Sequence, residues 1–105
     1  MLGDLEQLVL LALLRIGADA YGVSVRDAVH ERAGRDLTLG TIYKTLARLE
    51  AKGFVVSRVG EPTPERGGRA KRHFGVTAAG QRAVRASFAS LRRMAAGLDV
   101  GLDTP

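Results

Sequence analysis

A mainly helical fold carrying one small β-hairpin is what this sequence predicts, and three observations predict it. Long apolar or amphipathic stretches dominate the chain, with apolar residues recurring every three or four positions. Between the third and last of these stretches the pattern shifts to two short runs of β-forming residues flanking a Pro/Gly loop. Residues that start or stop helices stand at the changes of pattern: Gly34, Thr38, Gly53, Thr77 and Gly97.

The first helix is expected from about residue 5 to 16, with Asp4 at its cap. Residues 8–14 are apolar without exception, so this helix must be covered on more than one side. One side belongs to its own core, and Leu8 and Leu11 are candidates for the face of a partner subunit; the alternative is a central helix wrapped within a monomer. Residues 17–19 read as a turn. A second helix follows from about 21 to 33, with Val25, Ala28 and Val29 inward and Gly34 as its stop.

Residues 38–53 form the helix that organises the rest. Leu39, Ile42, Leu46 and Leu49 make one apolar stripe, while Thr41, Lys44, Thr45, Arg48 and Lys52 fall on the other side. Thr38 can cap its start, and Gly53 suits a left-handed stop. A helix with one buried face and one short, basic, hydrogen-bonding face has the shape and chemistry to enter a DNA major groove. The alternative is an ordinary solvated surface.

After Gly53, residues 54–59 and 69–76 read as two strands, with Phe74 and Val76 on one face. Residues 61–68 form the loop between them, stiffened by Pro62 and Pro64 and loosened by Gly67 and Gly68. Thr77 caps a last helix, along which Val84, Phe88, Leu91 and Ala95, with Leu98 just past the Gly97 stop, follow the spacing of a short coiled-coil seam. That seam calls for a second copy of the chain; the alternative is that the stripe packs back on its own domain. The expected organisation is a winged helix-turn-helix over residues 1–76, a dimerisation helix over 77–97 and a disordered tail over 98–105.

Charge placement supports a nucleic-acid partner. The 105 residues carry a net charge of +5. Residues 1–37 hold four basic and six acidic groups, whereas residues 38–95 hold twelve basic and three acidic groups. The basic excess thus begins at the third helix and continues through the hairpin, as an electrostatic footprint for DNA would. Arg66, Gly67, Gly68, Arg69, Lys71 and Arg72 concentrate it on the wing. Glycine lets the backbone approach a phosphate, and arginine can enter a narrow minor groove. Lys44 and Arg48 are the long donors for phosphate or guanine edges, and Thr41 and Thr45 can offer hydroxyls or methyls to bases. Tyr43 lies on the flank, suited either to a phosphate or to packing on the second helix. Tyr21 and Ser24 stand where a helix start can meet a phosphate.

Other chemistries find no support. There is no cysteine, and His30 and His73 lack the spacing of a metal pair, so no metal or cofactor is expected. No paired carboxylates, activated nucleophile or phosphate-binding loop suggests an enzyme. No export signal or membrane span is evident, so the chain reads as cytoplasmic.

Leu5-Glu6, Ala20-Tyr21-Gly22, Gly40-Thr41-Ile42-Tyr43, Leu46-Ala47-Arg48-Leu49-Glu50, Lys52-Gly53, Gly67-Gly68-Arg69, Lys71-Arg72 and Thr77-Ala78-Ala79-Gly80 together resemble the PadR-like family of bacterial transcriptional regulators. The resemblance covers about residues 2–95, in the short form with a single terminal helix. It implies a homodimeric repressor on double-stranded DNA, dimerised by its last helix with help from its first, and small effectors bound near that interface. A two-fold dimer in turn implies a pseudo-palindromic operator. The competing expectation is a winged-helix protein-interaction module that does not bind an operator.

Overall fold

The computed structural model describes residues 2–60 and 71–98. Helices α1 (Asp4–Ile16), α2 (Gly22–Ala33) and α3 (Leu39–Ala51) come first, followed by strands β1 (Val55–Val59) and β2 (Arg72–Val76), and then α4 (Ala78–Ala95). This is the expected order of three helices, hairpin and helix. The loop expected at 61–68, with Arg66, Gly67, Gly68 and Arg69, lies outside the described residues, as does the tail from 99.

One core joins the elements. Val9, Leu10 and Leu13 of α1 meet Val25 and Val29 of α2, Ile42, Leu46 and Leu49 of α3, Val55 and Phe74 of the hairpin, and Val84 of α4. Ile42, Leu46 and Leu49 are fully excluded from solvent. At roughly 1.5–3 kcal/mol for each buried aliphatic side chain, the inner stripe of α3 is a firm anchor for its outer face.

The helix ends follow local chemistry. Thr38 Oγ1 accepts the Thr41 amide at 3.1 Å, capping α3 as expected. Gly34 ends α2 at φ 66°, and Gly53 lies beyond α3 at φ 79°, both in the left-handed region that favours glycine. The cap of α1 differs from expectation. Gly3 occupies it, and the Glu6 side chain accepts the Gly3 amide at 2.7 Å. Asp4 is instead the first helical residue and pairs with Arg35 at 3.1 Å.

The hairpin is antiparallel, with Val55 opposite Val76, Ser57 opposite Phe74 and Val59 opposite Arg72. A third segment joins its edge: Tyr21 forms a bridge with His73, and the Phe74 amide donates to the Ala20 carbonyl at 2.9 Å. The start of α2 is thereby locked to the wing.

Thr77 connects the hairpin to α4. Its hydroxyl donates to the Gly53 carbonyl at 2.7 Å and accepts the Gly80 amide at 3.0 Å. Its own amide donates to the Phe54 carbonyl at 3.0 Å. Gly80 is required by close approach, because a Cβ there would overlap the Phe54 carbonyl and the Val76 side chain. At the far end, Gly97 at φ 82° follows α4, and Leu98 lies past the helix as expected.

Candidate nucleic-acid interface

The outward face of α3 carries Tyr43, Lys44 and Arg48, all exposed. Thr41 is half-buried in the first turn, its hydroxyl accepting from Thr38 at 3.0 Å. The rigid inner stripe and the Thr38 cap fix how this face is presented, leaving the two long cations free to extend from a settled backbone.

Thr45 does not join them. It is 2% exposed, and its hydroxyl donates to the Thr41 carbonyl at 2.8 Å. On an α-helix, Thr45 is rotated about 40° from Thr41 towards Leu49, enough to carry a short side chain under the surface. The expectation that Thr45 reads bases is therefore corrected: it packs beneath the exposed face of α3.

Lys52 also departs from the outer face. As the C-cap of α3 it reaches back to α1, placing Nζ 2.7 and 2.9 Å from the two oxygens of Glu6. Glu6 is a buried acid. Burial by itself would raise its carboxyl, but the Lys52 ammonium, the Gly3 amide and the charge of Arg48 outweigh that and hold it below the ordinary range.

Tyr43 is half presented and half seated. A Cβ at Gly22 would overlap its ring and hydroxyl, so the first residue of α2 is the seat on which the tyrosine rests. Of the two roles open to Tyr43, packing on the second helix is thus present, while 46% exposure leaves the ring accessible.

Beside α3, the start of α2 and the returning strand form a second basic region. Lys71 places Nζ 4.3 Å from the centre of the Tyr21 ring. His73 meets the same ring edge-on, with centroids 6.3 Å apart. Ser24 is occupied locally: its hydroxyl accepts the Tyr21 amide at 3.0 Å and donates to the Tyr21 carbonyl at 2.9 Å. The Ser24 hydroxyl thus closes the first turn of α2 onto Tyr21. Arg58 donates to the Ala18 carbonyl at 3.1 Å, and Arg72 donates to Ser57, which in turn donates to Glu50. These two arginines brace the wing against the helices.

The expected dimer residues divide in the same way. Val84 is 7% exposed in the chain's own core, which corrects its assignment to a seam between subunits. Leu8 and Leu11 are half-buried, and with Phe88 they line an open groove of about 680 Å³ beside α2. Leu91 is exposed, Ala95 is half-buried, and the neighbouring Met94 is 80% exposed.

Sequence reasoning missed Gly22 as the seat of Tyr43, the Glu6–Lys52 pair and the bridge from Tyr21 to His73. The first and third had a signal in the Ala20-Tyr21-Gly22 motif, but only tertiary contact explains it. No group of acidic or histidine side chains suited to a metal occurs among the described residues. No described helix is long and apolar enough to cross a membrane.

A three-helix core whose third helix carries a basic outer face, with a hairpin wing after it, defines a winged helix-turn-helix fold. The chain belongs to the transcriptional regulator PadR-like family, whose model matches residues 10–86. Its backbone is similar to a PadR family transcription regulator from Clostridium difficile R20291, with a TM-score of 0.72 and 24% identity over 88% of this chain and 91% of that one. A PadR family regulator from Eggerthella lenta gives a TM-score of 0.69 and 24% identity, over 97% of this chain and 88% of that one. A transcriptional regulator from Clostridium thermocellum gives 0.72 and 18%, over 93% and 92%. No curated protein matches the sequence significantly.

Proposed function

We propose that this protein is a homodimeric, cytoplasmic repressor that binds a pseudo-palindromic operator in double-stranded DNA through α3 and the wing. The observation that carries the reading is the two-sidedness of α3: Ile42, Leu46 and Leu49 are at zero exposure while Tyr43, Lys44 and Arg48 are exposed. Thr41, Tyr43, Lys44 and Arg48 supply sequence discrimination. Tyr21 and Lys71, with Arg66, Gly67, Gly68 and Arg69 of the wing, supply backbone affinity. The unit that binds DNA spans residues 1–76, and residues 77–97 form the dimerisation helix.

The dimer reading is supported by the apolar residues that α4 leaves uncovered, Leu91 and Met94 at 56% and 80% exposure. Phe88, Leu91 and Ala95, with Leu8 and Leu11 of α1, make the interface. A small effector binds where the groove lined by Leu8, Leu11 and Phe88 meets that interface, and releases the operator. Its size suits this, since small-molecule sites run to about 300–1,000 Å³.

The test is fluorescence anisotropy with duplexes from the region upstream of the protein's own operon, across a salt series. Affinity should fall steeply as salt rises, because each phosphate contact displaces condensed counterions. No binding at low salt, or binding indifferent to salt, refutes the reading. A stoichiometric protein partner retained without DNA would favour the interaction-module alternative.

A further inference from the structure

The Glu6 carboxylate is the single acid in the buried set of the described residues, and it belongs to none of the DNA-facing surfaces. Three groups hold it. The Gly3 amide donates to Oε1 at 2.7 Å, the Lys52 ammonium lies 2.7 and 2.9 Å from its two oxygens, and Arg48 is near enough to add to its field. Gly3 and Glu6 belong to the first turn of α1, whereas Lys52 ends α3 and Arg48 stands one turn earlier on the outer face. The pair therefore ties the end of the reading helix to the first turn of α1.

The chemistry of this tie differs from that of the surrounding core. Apolar side chains such as Leu46 and Leu49 resist separation of α3 from α1 but are poor at resisting a small slide or roll, because dispersion contacts have no preferred direction. A carboxylate held at 2.7 Å by a backbone amide and by an ammonium on another helix has both distance and direction defined. Neighbouring ties hold the same turn of α1 in place: Asp4 bonds Arg35 at 3.1 Å, and Gln7 donates to Ser87 of α4 at 2.7 Å.

We infer that Glu6 is a positioning residue for DNA reading: through Lys52 it sets the roll and axial register of α3, and thereby the placement of Lys44 and Arg48 on base edges. This rests on the DNA-binding reading above. A misplaced α3 still offers its positive charge to phosphates, which tolerate displacement, but not a bidentate contact to a base, which does not. Loss of the tie should accordingly reduce operator binding while sparing binding to unrelated duplex.

Two variants test it: Glu6→Gln, which keeps the shape of the side chain and removes its charge, and Lys52→Met, which acts from the other end. Each is measured at a temperature where circular dichroism shows it folded, on operator and on unrelated duplex at the same salt. The ratio of the two affinities should fall about tenfold in each variant, and the double variant should be no worse than either single one. If Glu6→Gln does not fold, Lys52→Met decides. Ratios unchanged from wild type, with wild type binding its operator, overturn the inference alone. Wild type failing to bind any duplex overturns the DNA-binding reading and this inference with it.

Discussion

Thr41, Lys44, Thr45 and Arg48 share one side of a helical projection, yet only three of them face outward. A projection gives direction but not the height of the surrounding surface, and a threonine beside Leu49 lies below it while a lysine would clear it. The same limit hid the fate of Lys52, whose long stem allows it to turn back to Glu6. Residue period was thus legible and residue environment was not. Lys44→Ala should cost about 1–3 kcal/mol on the operator if Lys44 reads a base. A phosphate contact would instead weaken all duplexes alike and reduce the salt slope by about one. Glu6 also gives a pH prediction. Its folded carboxyl titrates below the ordinary value of 4.5, so its stabilisation is present above that value and disappears as pH falls through the lower folded one. Urea unfolding should show wild type more stable than Glu6→Gln at pH 7 by about 1–3 kcal/mol, with the gap narrowing steadily below pH 4.5.

Among the elements, the helices and the hairpin were readable because each carries its period and its stops in sequence: Thr38 before α3, Gly34 and Gly53 after helices, Thr77 before α4. The bridge between Tyr21 and His73 was not readable, since one residue in extended conformation has no period to detect. Yet that bridge is what sets the wing against α2. Thr77 is another junction, because one hydroxyl caps α4 and also holds the Gly53 carbonyl at the exit of α3. Thr77→Ala should therefore lose more than a helix cap alone, about 2 kcal/mol in chemical denaturation. Thr77→Ser, which keeps the hydroxyl, should recover most of it. Equal stability of the alanine variant and wild type would show that neither bond contributes.

For the whole molecule, the question is what α4 is for. Its 18 residues extend about 27 Å, and its buried residues, Gly80 and Val84, both lie in its first half. The apolar side chains beyond that half are the ones the proposed dimer would cover. Phe88→Glu should yield monomers by light scattering, because a charge would be buried in the seam. A variant that remains fully dimeric would move the interface away from α4. If the two-fold dimer forms, footprinting should show two protected half-sites with centres about 34 Å apart, or a multiple of that spacing. The seam pattern on α4 was visible in sequence, but the division between Val84 inside and Leu91 outside was not. It depends on where the core ends, which is a property of the assembled domain.

Two glycines separated by four residues show how unevenly this architecture would accept change. A side chain at Gly75 meets nothing nearby, whereas at Gly80 it meets a backbone carbonyl that is itself bonded to Thr77. In a saturation library selected only for folded protein, position 75 should drift through many amino acids, with β-branched ones enriched. Position 80 should return glycine almost alone. Two neighbouring sites with the same residue would then carry opposite evolutionary histories, one a matter of accident and the other of contact.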